Sequence, residues 1–246
     1  CLLLFPKNDM PVHLVTGLPL EQYTHKKDEY KEMLLDFKRI AGFKDNEKIK
    51  LVKFDKVTIF PQAAGAVYYA ILDELKRFMI DSSYIGLIDV GFKTTDYIVF
   101  MTEDKLVLRE DMSGTINVGM SNLHNAADKL FTQKTGGKLD IPELMRIVQK
   151  GRIFFKGSNV DISKELSLIM EDISRVVKDR LKAVWGSKLD FFNTVFFAGG
   201  GGKDMYPYLS DIHSNSALIN SAQFANAQGF LKVAKVAELG GNKKVG

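Results

Sequence analysis

The sequence has 246 residues, 46% apolar and 26% charged, which is the composition of a folded globular protein and excludes a wholly disordered chain. The net charge is +4, but basic and acidic residues are mixed, so no nucleic-acid-binding arm is indicated. The single cysteine, Cys1, excludes a disulfide within the chain and a CxxC-type metal site. No apolar run approaches the roughly 20 residues of a membrane span. We therefore expect a cytoplasmic protein that binds neither membrane nor nucleic acid directly.

Apolar and polar residues alternate in a way that predicts an α/β fold. In chain order, strands are predicted at residues 12–16, 51–60, 85–90, 97–101, 106–109 and 194–198. Helices are predicted at residues 21–40, 63–79, 118–135, 141–151, 162–185 and 222–238. Three strands follow one another within 84–110, and the mostly helical stretch after them is predicted to be an insertion between parts of one sheet domain.

The strongest local pattern is an apolar strand that ends in Asp89-Val90-Gly91, followed by Phe92-Lys93-Thr94-Thr95-Asp96 and a second apolar strand. The pattern predicts a hairpin with a polar tip. Glycine permits close backbone approach to a ligand, and turn N–H groups with threonine hydroxyls can donate to phosphate oxygens. A carboxylate at the strand end can hold Mg²⁺-bound water. An ordinary hairpin, with Gly and Asp as turn residues, is the alternative.

A second pattern is a buried strand that runs into four glycines, Gly199 to Gly202, and then into a helix. A helix N-terminus in this position can receive a phosphate or the base and sugar of a nucleotide. Lys203 is followed by Asp204, so the segment is not a Walker A loop. The alternative is a flexible connector.

Two further segments are rich in small residues. Residues 59–66 predict a strand that ends at Pro61, with the proline starting a helix, and Gln62 near the first turn could position a water. Residues 220–230 predict a helix in which Ala225, Ala227 and Gly229 permit close backbone approach. Taken singly, both segments read as tightly packed helices.

Together, the four motifs resemble, in order, those of the actin, sugar kinase and DnaK-type chaperone superfamily, and most of all the ParM/StbA-type plasmid segregation actins and archaeal actin-like proteins. Residues 61–66 resemble the first connecting helix, 89–96 the second phosphate loop, 198–201 the adenosine loop and 223–230 the second connecting helix. The resemblance implies an α/β, actin-like two-domain ATPase fold with a ribonuclease H-like motif. Residues 1–80 would form the remainder of domain I, 81–221 domain II with a helical insertion at about 126–185, and 222–246 a C-terminal helix returning to domain I.

The resemblance also implies the ligands and the residues that bind them. ATP or ADP would be bound with Mg²⁺, with Gln62 and Asp89 catalytic and Asp89 serving the metal. The implied cofactor-binding residues are Gly91, Thr94, Thr95, Asn117, Gly119, Glu171, Arg175, Gly199, Gly200 and Gly201. The partners would be further copies of the chain in a head-to-tail filament, and DNA through an adaptor protein. A solvated helix face is the alternative for Glu171 and Arg175.

The sequence also departs from the family pattern. Asp89-Val90-Gly91 is the only Asp-x-Gly, so we expect the first phosphate hairpin to be absent from this chain. Several relatives carry Glu after the proline where this chain has Gln62, a poor general base, which argues against fast hydrolysis. Two other functions therefore stay open: a small-molecule kinase of the same superfamily, and an actin-like scaffold that does not hydrolyse ATP.

Overall fold

The computed structural model describes residues 11–42 and 49–241. The chain divides into two compact units: Cys1–Asp73 with Asn226–Gly246 (unit 1), and Glu74–Ala225 (unit 2). The sequence prediction put its boundaries at 80/81 and 221/222, and its assignment of segments to domains I and II stays a prediction. Within the two described ranges, no helix has the length and apolar character of a membrane span.

The strands are β1 (His13–Leu18), β2 (Lys38–Gly42), β3 (Ile49–Lys53), β4 (Lys56–Pro61), β5 (Ser83–Val90), β6 (Thr95–Thr102), β7 (Leu106–Leu108), β8 (Gly114–Ile116), β9 (Arg152–Phe155), β10 (Ser158–Asp161), β11 (Phe192–Ala198) and β12 (Ser216–Leu218). The helices are α1 (Leu20–Leu35), α2 (Ala64–Ile71), α3 (Leu75–Phe78), α4 (Met120–Thr135), α5 (Ile141–Lys150), α6 (Ser163–Trp185), α7 (Gly202–Leu209) and α8 (Ala225–Gly241). Short 3-10 helices occupy Leu72–Glu74, Glu110–Met112, Gly186–Phe191, Ser210–Ile212 and Ala222–Phe224.

In unit 1, β1 and β4 pair in parallel, and β2 and β3 pair antiparallel. The predicted helix at 21–40 is wrong beyond Leu35, where α1 ends. Residues 38–42 instead form β2, because the ladder with β3 satisfies their backbone hydrogen bonds. The predicted strand at 51–60 is likewise two strands, broken at Phe54-Asp55, where the Asp55 backbone N–H donates to the Val12 carbonyl at 2.9 Å.

Pro61 does not begin a helix, contrary to the prediction. It is the last residue of β4 and lies opposite Leu18 in the β1–β4 ladder. The helix starts at Ala64, after Ala63 has taken a left-handed conformation with φ 72°. The predicted helix at 63–79 is in fact α2, a 3-10 turn and α3 in succession.

Helices α2 and α8 of unit 1 meet at glycines. A Cβ at Gly229 would overlap the Gly65 carbonyl, and a Cβ at Gly65 would overlap the Asn226 carbonyl. The Asn226 Oδ1 accepts a hydrogen bond from the Ala66 backbone N–H at 3.0 Å. Lys232 Nζ adds an ion pair to Asp73 at 2.5 Å. The small residues noted in both segments are thus used for close helix contact.

Unit 2 is built on a mixed sheet with the strand order β12-β11-β5-β6-β7, and β8 pairs with the first three residues of β6. β5 runs parallel to β11 and antiparallel to β6. The central strands are almost wholly buried, which explains their continuous apolar runs. The hairpin predicted at 85–99 is therefore formed by β5 and β6.

Helices α4, α5, α6 and α7 share one hydrophobic core with this sheet. Apolar residues on α6 recur at helical spacing and join the buried core: Leu166, Met170, Val177, Leu181 and Trp185. Asp140 caps α5 by accepting from the Glu143 backbone N–H at 3.3 Å, and Gly151 ends it at φ 69°. The β9–β10 hairpin, which the sequence analysis did not predict, lies between α5 and α6.

Candidate functional site

The turn between β5 and β6 presents backbone N–H groups that have no backbone acceptor among the described residues. Val90 and Thr95 form the last ladder pair, and the Gly91 N–H donates to the Thr94 carbonyl at 2.8 Å. A Cβ at Gly91 would lie 2.9 Å from that carbonyl oxygen, so a side chain would strain the turn. In the described part of the chain, no backbone group accepts from the N–H groups of Phe92, Lys93 and Thr94. Such a turn can bind an anion.

The N-terminus of helix α4 holds this turn in place by hydrogen bonds. The Met120 N–H donates to the Gly91 carbonyl at 3.1 Å, and the Ser121 N–H donates to the Phe92 carbonyl at 2.6 Å. A Cβ at Gly119 would come within 2.8 Å of the turn backbone, so this approach requires glycine. The first two N–H groups of α4 thus donate to carbonyls of the turn and are not available to a ligand. The anion-binding groups of this region are those of the turn itself.

Two aspartates lie opposite each other one ladder pair from the turn of the hairpin. Asp89 pairs with Asp96 in the ladder, so both side chains are on the same sheet face, and both are half-buried. Thr115 Oγ1 donates to Asp96 Oδ1 at 2.6 Å. Burial raises the pKa of the Asp96 carboxyl, and the Thr115 hydrogen bond partly offsets the rise. Asp96 was not predicted as a site residue, although the four-residue turn from Gly91 to Thr94 places it opposite Asp89.

The other predicted residues of this loop differ in their roles. Thr94 is half-buried beside the unpaired N–H groups. Thr95 is buried, and its hydroxyl donates to the Val118 carbonyl at 2.8 Å, so it ties the hairpin to the segment before α4. Asn117 is exposed in that same segment.

The glycines after β11 come against the end of β5. Gly199 has φ 89°, and a Cβ there would overlap Asp89 Oδ1 and the Val90 carbonyl. The Gly201 N–H donates to the Val90 carbonyl at 2.9 Å, and a Cβ at Gly201 would overlap Met120. Gly200 is exposed with open space around it, and its N–H has no backbone acceptor among the described residues. The structure thus brings Asp89, Gly91, Gly119 and the glycine segment together at one edge of the sheet.

Two cavities adjoin this edge and share Met120 and Asp204 as lining residues. One, of about 390 Å³, opens at the hairpin tip and is lined by Phe92, Met120, His124, Ile141, Met145, Gly200, Gly201, Asp204 and Gln223. The Phe92 and His124 rings meet edge to face at 5.3 Å, and burial lowers the pKa of His124. The other, of about 440 Å³, is more polar and is lined by Met120, Leu123, Val148, Gln149, Lys150, Gly151, Ser163, Leu166, Ser167, Met170, Asp204 and Tyr208.

Two predicted residues of unit 2, Glu171 and Arg175, lie outside this group. Glu171 and Arg175 are exposed on α6 and are not in the walls of either cavity. Arg175 pairs instead with Asp172 at 3.1 Å on the same helix. Gln62 belongs to unit 1, where it is exposed and lines a cavity of about 600 Å³ with Thr16, Gly17 and Asn226 among others. Within the described residues, no group of three or more His, Cys, Asp or Glu could hold a metal ion.

Family models match most of the chain. Residues 87–211 match a model described as archaeal actin homologue MreB-like, C-terminal, and residues 1–65 match a model of the N-terminal domain of actin-like proteins. A comparison with curated protein sequences found no match.

Solved structures agree with the family models. A 15-stranded ParM filament from Clostridium botulinum is 39% identical, with a TM-score of 0.82 over 95% of this chain and 70% of that one. A non-polymerisable quadruple mutant of pCBH ParM is 38% identical, with a TM-score of 0.81 over 93% of this chain and 71% of that one. The archaeal actin homologue Ta0583 in complex with ADP is 21% identical, with a TM-score of 0.77 over 91% of this chain and 72% of that one, and this match concerns the fold alone.

Proposed function

Because the chain belongs to the ParM-type actin-like proteins, we propose that it binds and hydrolyses ATP and assembles into filaments. The observation that carries the proposal is the β5–β6 turn, in which the N–H groups of Phe92, Lys93 and Thr94 have no backbone acceptor among the described residues and which follows Asp89 near the end of β5. Filament formation is proposed from the ParM relatives, one of which is itself a filament. Head-to-tail growth requires an interface that repeats without closing.

The phosphates would lie on the turn. These N–H groups have no backbone acceptor among the described residues, so a phosphate that replaces water there meets donors already held in place by α4. Thr94 can add its hydroxyl. Because phosphoryl transfer depends mainly on positioning and charge neutralisation, such a preorganised turn suits it.

Asp89 suits a role toward Mg²⁺. Its carboxylate is a hard oxygen donor near the end of a mostly buried strand, and Oδ1 lies so close to Gly199 that a Cβ there would overlap it. Mg²⁺ keeps several waters and commonly uses one or two carboxylates with substrate phosphates. When bound, the ion would neutralise phosphate charge. Asp89 would hold one of its waters, and Gln62 would orient the attacking water.

The nucleoside would occupy the cavities beside the glycine segment. Their apolar walls, Met120 and Met145 among them, can cover a planar base, while Ser167, Gln149 and Tyr208 offer hydrogen bonds at the polar end. Gly201 forms part of the wall next to Met120, and a side chain there would displace Met120. We therefore propose that the adenosine occupies these cavities, whose walls do not include Glu171 or Arg175. DNA would be reached through an adaptor, because basic and acidic side chains are mixed along the chain.

Sedimentation tests the proposal. The chain is incubated over a range of concentrations with ATP and Mg²⁺, with ADP and Mg²⁺, and without nucleotide, while phosphate release is followed in parallel. We expect a critical concentration that is lowest with ATP, and phosphate release that Asp89→Asn abolishes. Asp104→Asn is the matched control, because Asp104 lies in an exposed loop of the same sheet, between β6 and β7.

Two outcomes would redirect the assignment. A monomer at all concentrations that transfers phosphate to a small acceptor would make the chain a kinase of this superfamily. Filaments that form equally well without nucleotide, with no phosphate released, would make it a scaffold.

A further inference from the structure

We propose that Lys93, at the tip of the β5–β6 hairpin, is a phosphate-binding residue of this chain and makes the site favour the more highly charged nucleotide. The inference rests on the proposed nucleotide binding and adds a side-chain cation to the backbone donors. Lys93 lies between Phe92 and Thr94, and the N–H groups of all three residues have no backbone acceptor in the part of the chain that the structure describes. A ligand bound to these donors would therefore lie on the same three-residue run that carries the Lys93 side chain.

The Lys93 ammonium has no carboxylate partner among the described residues. The side chain is exposed and takes part in no ion pair there. Other lysines of unit 2 do pair: Lys134 contacts Glu165 at 2.6 Å, and Lys178 contacts Asp211 at 3.0 Å. A lysine without a carboxylate partner at a ligand-facing turn remains free to meet an anion.

The backbone that carries Lys93 is held rigidly. The Phe92 carbonyl, just before Lys93, accepts a hydrogen bond from the Ser121 N–H. Gly119 packs so closely on this turn that a Cβ at Gly119 would lie 2.8 Å from the Lys93 carbonyl carbon. Ligand binding therefore has to order the Lys93 side chain but not the loop, so the entropic cost of binding is lower. Preorganisation of this kind distinguishes the position from a lysine on a mobile surface loop.

The chemistry of an ammonium favours terminal phosphates. It is a compact charge with three donors and no acceptor, so its attraction grows with the negative charge of the ligand. A charge-assisted hydrogen bond to phosphate is also stronger than one from a neutral N–H. The backbone donors contribute to binding any phosphate, whereas the cation adds discrimination between ATP and ADP and none for adenosine.

Titration calorimetry of the 246-residue chain with ATP, ADP, adenosine and inorganic tripolyphosphate tests the inference. For Lys93→Gln we expect the ATP and tripolyphosphate affinities to fall roughly tenfold or more, the ADP affinity to fall less, and the adenosine affinity to be unchanged. Lys93→Arg, which keeps the charge, should retain most of the ATP affinity. Lys105→Gln, in the exposed β6–β7 loop, is the matched control and should match the unsubstituted chain.

Each other result counts against the inference in a distinguishable way. If the unsubstituted chain binds ATP and Lys93→Gln binds it equally well, Lys93 does not contact phosphate, but the proposed function stands. An equal loss for ATP, ADP and adenosine would assign Lys93 a structural role. A chain that binds none of the four ligands would overturn the proposed function together with the inference.

Discussion

The contribution of the Asp96 carboxyl to the free energy of unfolding depends on pH. Burial raises its pKa, so the native protein holds the proton more tightly than the unfolded chain does. Stability therefore falls as the pH rises through the interval between the unfolded value, about 3.9, and the raised native value. Above that interval the native state bears the full cost of a half-buried charge, and below it the cost is absent.

We expect Asp96→Asn to be more stable than the unsubstituted chain at pH 7, without nucleotide, and the difference to shrink as the pH falls toward 4. The amide oxygen can still accept from Thr115, so the hydrogen bond at 2.6 Å need not be lost. Urea unfolding at a series of pH values measures this. Asp104→Asn controls for the loss of one formal charge, and a variant that is less stable at pH 7 would contradict the prediction.

For Gln62, the proposed role is in catalysis and not in nucleotide affinity. If it orients the attacking water, Gln62→Ala removes an interaction made in the transition state and not in the ground state. We expect hydrolysis to slow by about tenfold to a hundredfold while the ATP dissociation constant stays within about twofold. Single-turnover phosphate release and calorimetry separate the two quantities. A weaker affinity at an unchanged rate would make Gln62 a binding or packing residue.

At the scale of elements, local sequence patterns predicted the helices and strands that depend mainly on residues close together in the chain. The β5–β6 hairpin and α6 follow from strand and helix periodicity that is continuous over the whole element. The helix at 21–40 was extended too far because nothing in residues 36–40 indicates their pairing with β3. The capping of α4 by the hairpin turn was also beyond a local analysis, since Gly91 and Met120 are 29 residues apart.

At the contact between α2 and α8, replacing a helical glycine with alanine is expected to lower stability, which is the opposite of the usual effect. An alanine in a helix interior is normally more favourable than a glycine by about 0.5–1 kcal/mol. At position 229, however, the new Cβ would overlap the Gly65 carbonyl, so the helices must separate. We expect Gly229→Ala to destabilise the protein by about 1–3 kcal/mol, as measured by denaturant unfolding.

The control for this prediction lies on the same helix. Lys235 is exposed on α8, so Lys235→Ala tests the effect of adding helix propensity away from the crossing. It should leave the free energy of unfolding within about 0.5 kcal/mol of the original value. If Gly229→Ala proved stabilising, the close contact of the two helices would be refuted.

For the whole molecule, the order of four motifs predicted more than any single element did. The strand-to-glycine segment and the Asp-x-Gly hairpin meet because β11 and β5 are parallel neighbours and their carboxyl ends share one sheet edge. The sequence analysis grouped these residues by resemblance. It did not find the facing pair Asp89 and Asp96, nor the cavities beside Met120, because both require the register of the sheet and the packing of four separate segments.

Trp185, the chain's single tryptophan, makes unit 2 optically distinct from unit 1. Its ring is buried beside Phe192, and its Nε1–H donates to the Met112 carbonyl at 2.9 Å, so its emission reports whether this core is intact. Unit 1 contributes to far-ultraviolet circular dichroism but carries no tryptophan. We expect Gly229→Ala to shift the dichroism transition of urea unfolding more than the fluorescence transition. Equal shifts of the two curves would mean instead that both units unfold in one cooperative step.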